Sequence, residues 1–222
     1  LSSSNTNGSF AKGGDNLTLN FTTSELVRDP LANMSIQGLG PIALSSSDNR
    51  TTWTAVGQVL DNAIASPALS LTVLDQAGNR GSPYQDNFSQ ITLDTSPPVL
   101  SELSFVSSNK PDNSSQYAKA SDNLTLSFNF QEPVQQPVVL IAGDNLSIQL
   151  TYNSDNTSWE AVYTVQAGDN GTAEFNINYQ DLAGNSGISA SHLDLPNSIT
   201  LDTQLPTLSS IQLFSSNAYD PN

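Results

Sequence analysis

The chain copies itself. Ala11-Lys-Gly-Gly-Asp-Asn-Leu-Thr-Leu-Asn-Phe21 returns as Ala118-Lys-Ala-Ser-Asp-Asn-Leu-Thr-Leu-Ser-Phe128. Trp53-Thr-Ala-Val returns as Trp159-Glu-Ala-Val, Asp75-Gln-Ala-Gly-Asn79 as Asp181-Leu-Ala-Gly-Asn185, and Ile91-Thr-Leu-Asp-Thr95 as Ile199-Thr-Leu-Asp-Thr203. The offsets run from 106 to 108. A period of that length is one small domain repeated in tandem, each copy large enough to bury its own core, and not a short solenoid unit. The acidic residues are copied with the rest, which suggests a modular rod more than a one-site enzyme.

Within each copy the signal is strand. Leu17, Leu19 and Phe21 alternate with polar neighbours, as do Leu124, Leu126, Phe128 and Phe130. Trp159, Ala161, Tyr163 and Val165 form a second inward row, echoed by Trp53, Ala55 and Val59. Phe175, Ile177 and Tyr179 match Leu69, Leu71 and Val73. Gly, Asn, Asp, Ser and Pro cluster between these rows as turns do. About seven short strands per unit with regular turn signals read as an all-β, immunoglobulin-like sandwich. In the second unit strand A is expected at 98–108, B at 122–131, C and its neighbour within 137–152, E at 158–166, F at 172–181 and G at 197–202. The domains are then 1–96, lacking most of strand A, and 97–205. Residues 206–222 begin another strand A, because Pro206-Thr-Leu-Ser-Ser-Ile-Gln-Leu-Phe214 resembles Pro98-Val-Leu-Ser-Glu-Leu-Ser-Phe105.

The charge is one-sided: six Lys and Arg against 21 Asp and Glu, net −15. That excludes the counterion-replacing contacts of nucleic-acid binders and disfavours anionic membranes. Either the acids simply keep a secreted surface soluble, or some of them bind hard cations. Absence of cysteine rules out thiolate chemistry, and no apolar run reaches the roughly 18 residues a membrane span needs. The chain opens on Leu1 with no recognisable signal peptide, so it reads as a mature or excised piece of something longer.

D-x-A-G-N before the last strand, Gln131-Glu132-Pro133-Val134 after strand B, and Leu-Asp-Thr-x-x-Pro between units resemble the bacterial immunoglobulin-like repeats of large cell-surface adhesins. Domain one departs from the pattern with Ser24-Glu25-Leu26-Val27, which lacks the proline, followed by Arg28-Asp29-Pro30. The resemblance implies an extracellular extender or stalk at the cell surface, often stiffened by calcium between domains.

Topology says which acids meet. Glu132 closes strand B, Asp181 ends strand F, and Gly184 can take a positive φ that folds Asn185 back toward Asp181. The linker from Asp94 enters at the same pole. Asp94, Glu132, Asp181 and Asn185 should therefore converge, and like charges so placed repel unless a cation sits among them. Calcium, with six to eight oxygen ligands in loose geometry, suits such a set better than magnesium. Glu25, Asp75 and Asn79 repeat the set toward a preceding linker, and Asp202 toward a following domain. Asp15, Asp61, Asp122 and Asp169 lie at the opposite poles. The alternative is that D-x-A-G-N is only a turn whose Asp accepts backbone N–H groups.

Other chemistries fare worse. His192 is the only histidine and lies in a polar stretch without a counterpart in domain one; no nucleophile elbow accompanies it. Trp53 and Trp159 sit in alternating rows as core residues do, which weakens a carbohydrate-binding module, though surface glycans stay open as partners. The expectation is a non-catalytic module that contacts neighbouring repeats or further copies of itself. One alternative is a filament in which the C-terminal strand is donated to the next subunit.

Overall fold

The computed structural model describes residues 1–28, 30, 34–48, 50–109, 116–144 and 148–214. Domain one carries β1 (Ser2–Ser3), β2 (Phe10–Ala11), β3 (Asn16–Thr22), β4 (Met34–Ile36), β5 (Leu39–Asp48), β6 (Thr52–Val59), β7 (Ile64–Ala65), β8 (Leu69–Leu71), β9 (Tyr84–Asp86) and β10 (Thr92–Asp94). Domain two carries β11 (Leu100–Ser107), β12 (Tyr117–Ala118), β13 (Asn123–Phe130), β14 (Val138–Ile141), β15 (Gln149–Tyr152), β16 (Ser158–Thr164), β17 (Asn170–Thr172), β18 (Phe175–Asn178), β19 (Ala190–Ser191) and β20 (Thr200–Asp202). The domains share one plan. Sheet β1-β3-β6-β5 corresponds to β11-β13-β16-β15, β2-β10-β7 to β12-β20-β17, and β4-β8-β9 to β14-β18-β19. This is a pair of immunoglobulin-like β-sandwiches.

The period-two rows bury as strands must. On β13, Leu124, Leu126, Phe128 and Phe130 face inward while their neighbours stay at least partly exposed. Across from them Trp159 pairs with Phe128, Ala161 with Leu126 and Tyr163 with Leu124. Both indoles are buried, Trp53 at 5% exposure and Trp159 at 4%.

Three details depart from the sequence reading. Strand F divides: β17 joins the sheet of β20, whereas β18 turns to β14, with the break at Ala173–Glu174. The last strand divides likewise into β19 and β20, with a short 3-10 turn at His192–Asp194 between them. Finally β12 adds alongside β20 in parallel, as β2 does to β10.

Domain one pairs β1 with β3 over two residues, where β11 pairs with β13 over seven. The tail, residues 206–214, forms no strand and is exposed. Residues 215–217 of the expected donor segment lie outside the described residues.

Candidate metal centre at the domain junction

Asp181 follows β18 and opens the turn that joins it to the last part of the sandwich. Gly184 takes φ +86°, which a side chain would resist, and this brings Asn185 back over Asp181. Both Asp181 carboxylate oxygens then accept from Asn185, one from its backbone N–H at 2.9 Å and one from its side-chain amide at 2.7 Å. The same amide nitrogen donates to the carbonyl of Asp94 at 2.9 Å, tying the end of β10 to domain two. Gln135 donates to the Asp181 carbonyl at 2.8 Å and holds the turn from the other side.

Three carboxylates meet here. One oxygen each from Asp94, Glu132 and Asp181 lie within 4.8 Å of one another. Asp181 is 1% exposed, and the other two are half-buried. Burial pushes the Asp94 carboxyl above its usual range, with the Asp181 charge adding to it, although the Ser96 N–H works the other way. Glu132 is pushed up by burial first, then by the charges of Asp94 and Asp181. No lysine or arginine among the described residues forms an ion pair with any of the three. The polypeptide therefore gathers negative charge without neutralising it.

A calcium ion fits this set. Its oxygen ligands stand at about 2.3–2.6 Å, so two of them on one ion lie no more than about 5 Å apart. Asp94, Glu132 and Asp181 would hold it. Asn185 enters differently from its expected role as a ligand, because its nitrogen faces the cluster and clips Asp181 to the linker.

The repeated residues Glu25, Asp75 and Asn79 stand at the free pole of domain one. Asp75 and Asn79 form the same turn, with bonds of 2.7 and 2.6 Å and Gly78 at φ +95°. Here the Asn79 amide lowers the Asp75 pKa, with no second carboxylate among the causes. Glu25 is exposed. Asp202 is exposed too, and one of its oxygens accepts from Gln204 N–H at 3.0 Å, as Asp94 does from Ser96 at 3.1 Å. None of these four joins a carboxylate cluster in the chain as described.

Of the distal acids, Asp122 pairs with Lys119 and Asp169 accepts from the Tyr163 hydroxyl. Asp15 lies at the junction but serves a neighbour: Asn5 donates to it at 2.6 Å and to the Ala183 carbonyl of domain two at 2.8 Å. Asn7 reaches the Leu182 carbonyl at 3.4 Å. The sequence reading passed over Asn5, yet its repeat at Asn109 was visible. Each donates its N–H at 3.1 Å to the hydroxyl of the serine two residues before it, Asn5 to Ser3 and Asn109 to Ser107.

No protein-family model and no curated protein matches this chain. Among solved structures it resembles the titin Ig tandem domains A164–A165, at 12% identity over 88% of this chain and 91% of that one, TM-score 0.29. It also resembles a D1–D4 ectodomain fragment of ICAM-5, at 14% identity over 91% and 54%, TM-score 0.35. A third likeness is latent dimeric PorU from Porphyromonas gingivalis, at 8% identity over 89% of this chain and 23% of that one, TM-score 0.32. The fold class rests on the strand pairing itself: tandem immunoglobulin-like domains joined through an acidic junction.

Proposed function

We propose that this chain is a non-catalytic, extracellular extender segment of a surface adhesin or fibre, in which calcium bound between the domains fixes their relative orientation. The observation that carries this reading is the convergence of Asp94, Glu132 and Asp181 at the linker, with no cationic side chain among the described residues paired to them. One acid comes from the end of domain one and two from domain two, so an ion held by all three joins the domains. Asn5 and Asn185 add uncharged clips across the same boundary. The resemblance to repeats of bacterial adhesins supports placing the module at the cell surface.

Calorimetry with calcium and small-angle scattering in calcium or chelator test the reading. One ion per chain should bind, and removing it should broaden the distribution of interdomain angles. Absence of heat at millimolar calcium, with identical scattering in chelator, would discard it. A carbohydrate-binding role has less support, because both indoles are buried and the exposed tyrosines Tyr84, Tyr117 and Tyr152 lie on three different sheets. Binding on a glycan array would restore it.

A further inference from the structure

Asn-Gly occurs twice in this chain, as Asn7-Gly8 and Asn170-Gly171. A glycine after asparagine leaves its backbone nitrogen unshielded, so that nitrogen can reach the side-chain amide carbon of the residue before it. Whether it does so depends on how firmly the asparagine is held, and the two sites differ there. Asn170 donates to the Gly168 carbonyl at 2.9 Å and accepts from the Thr203 N–H at 3.1 Å and hydroxyl at 3.3 Å. Gly171 stands in the β17–β20 ladder opposite Leu201. Asn7, by contrast, is exposed. Its amide oxygen accepts from the Ser9 N–H at 3.3 Å and its amide nitrogen donates to the Leu182 carbonyl at 3.4 Å, both longer than well-formed bonds of this kind. Gly8 lies outside any ladder, and its N–H donates to no group among the described residues.

We propose that Asn7 is a self-modifying site whose conversion loosens the boundary between the domains. The Gly8 nitrogen bonds to Asn7 Cγ, its proton passes through water to Nδ2, the Cγ–Nδ2 bond breaks and ammonia leaves. Water then opens the resulting cyclic imide at either carbonyl carbon. Opening at one yields aspartate at position 7. Opening at the other yields isoaspartate, in which the main chain runs through the former side chain. No electrons are exchanged, and water is the only co-reactant.

The consequence reaches across the boundary. The Asn7 N–H donates to the Asn5 side-chain oxygen at 2.9 Å, which leaves the Asn5 amide nitrogen facing Asp15 at 2.6 Å and the Ala183 carbonyl at 2.8 Å. The Asn7 carbonyl in turn accepts from the Phe10 N–H at 2.9 Å, where β2 begins. Isoaspartate shifts these backbone groups by a methylene, so the Asn5 bond to domain two loses its support. Either product lacks the amide that donates to Leu182, and either adds a negative charge near Asp15, at a junction that already holds Asp94, Glu132 and Asp181. The clips lost are uncharged, so the inference stands apart from the calcium reading.

The test incubates the 222-residue chain at mildly alkaline pH and follows both Asn-Gly peptides by mass spectrometry, with isoaspartyl methyltransferase labelling to tell isoaspartate from aspartate. Releasing Asn170 first requires opening its ladder, so in the folded chain Asn7 should convert at least about tenfold faster. In urea the two rates should converge. A methyl built on Gly8 meets nothing within 4 Å, so Gly8→Ala should suppress conversion at Asn7 and leave the melting of fresh protein unchanged. Scattering in chelator should show a broader distribution of interdomain angles for the incubated chain than for incubated Gly8→Ala. Asn7 converting no faster than Asn170 overturns the site. Full conversion with scattering identical to that of incubated Gly8→Ala overturns its consequence. If scattering responds to conversion but not to calcium, the junction reading falls and this one stands; a response to calcium alone has the opposite meaning.

Discussion

Domains one and two follow one plan but differ in how their cores close. The described buried residues of domain two form one continuous cluster running from Ala118 to Leu201. Among the described residues, those of domain one divide in two, with Leu17, Ile91 and Leu93 in one and Leu19, Ala55 and Leu71 in the other. The division follows side-chain size. Phe130 and Tyr179 pack as a tilted pair with ring centroids 4.5 Å apart in domain two, where domain one has Thr23 and Val73. Tyr163 sits opposite Leu124, while Gly57 sits opposite Leu17 and leaves its space to Leu39. The long β11 covers this edge in domain two, and two-residue β1 does not in domain one. An edge strand in this fold therefore does more than add ladder bonds. It completes the wall that makes the core continuous.

The largest expected effect tests that contrast directly. Trp159 donates its indole N–H to the Asn156 carbonyl at 3.1 Å, while the Trp53 nitrogen is buried without a partner. Trp159→Ala should cost about 3–5 kcal/mol and Trp53→Ala about 3 kcal/mol, since its removal also frees an unsatisfied donor. Calorimetric unfolding, which needs no tryptophan probe in the mutated domain, measures both. Equal costs would mean the unpartnered Trp53 nitrogen does not weaken domain one.

Next in size is calcium. At 100 times its dissociation constant, calcium should stabilise the junction by about 2.7 kcal/mol. Asp94→Ala should remove this gain, whereas Asp75→Ala, at the free pole, should leave it intact in the monomer. Thermal melts with calcium and with chelator separate the two.

Acidity should act in opposite senses at the two poles. Asp94 and Glu132 are pushed above their ordinary values of 3.8 and 4.5, so in chelator the junction is less stable at neutral pH. It gains stability as pH falls through the raised values, fully so below the ordinary ones, and loses it as pH rises again. Asp75 is lowered, so its turn loses support on acidification below 3.8. Carboxylate NMR titrations should show the two orders, and calcium should bring Asp94 and Glu132 down.

The smallest effect compares two glycines. Gly78→Ala and Gly184→Ala each force a side chain into left-handed backbone, costing about 1–2 kcal/mol. An alanine methyl at 184 meets only the Lys12 side chain, at 3.6 Å. Similar melting shifts would show that the turn tolerates the junction around it.

Much of this was legible in the sequence because the physics is local. Alternation named the inward rows, down to the buried Trp53 and Trp159, and strand order alone brought Asp94, Glu132 and Asp181 to one pole. Two-residue strands such as β12 have no periodicity to read, since their partner lies more than eighty residues away. The break between β17 and β18 is set by competing sheets and not by residue type. The direction of the Asn185 amide depends on two acceptors, Asp181 and Asp94, and the second becomes visible only when the linker is placed.

The parallel pairing of β12 with β20 has a mechanical meaning. Tyr117 lies beside Thr200 and Ala118 beside Leu201. Tension along the chain reaches β12 from its N-terminal side and leaves β20 from its C-terminal side. The two neighbours are then dragged past each other along their length, in shear, and their rungs share the load and must rupture together. In domain one, β2 and β10 meet in the same way, so a stretched array would resist at the same seam in every repeat.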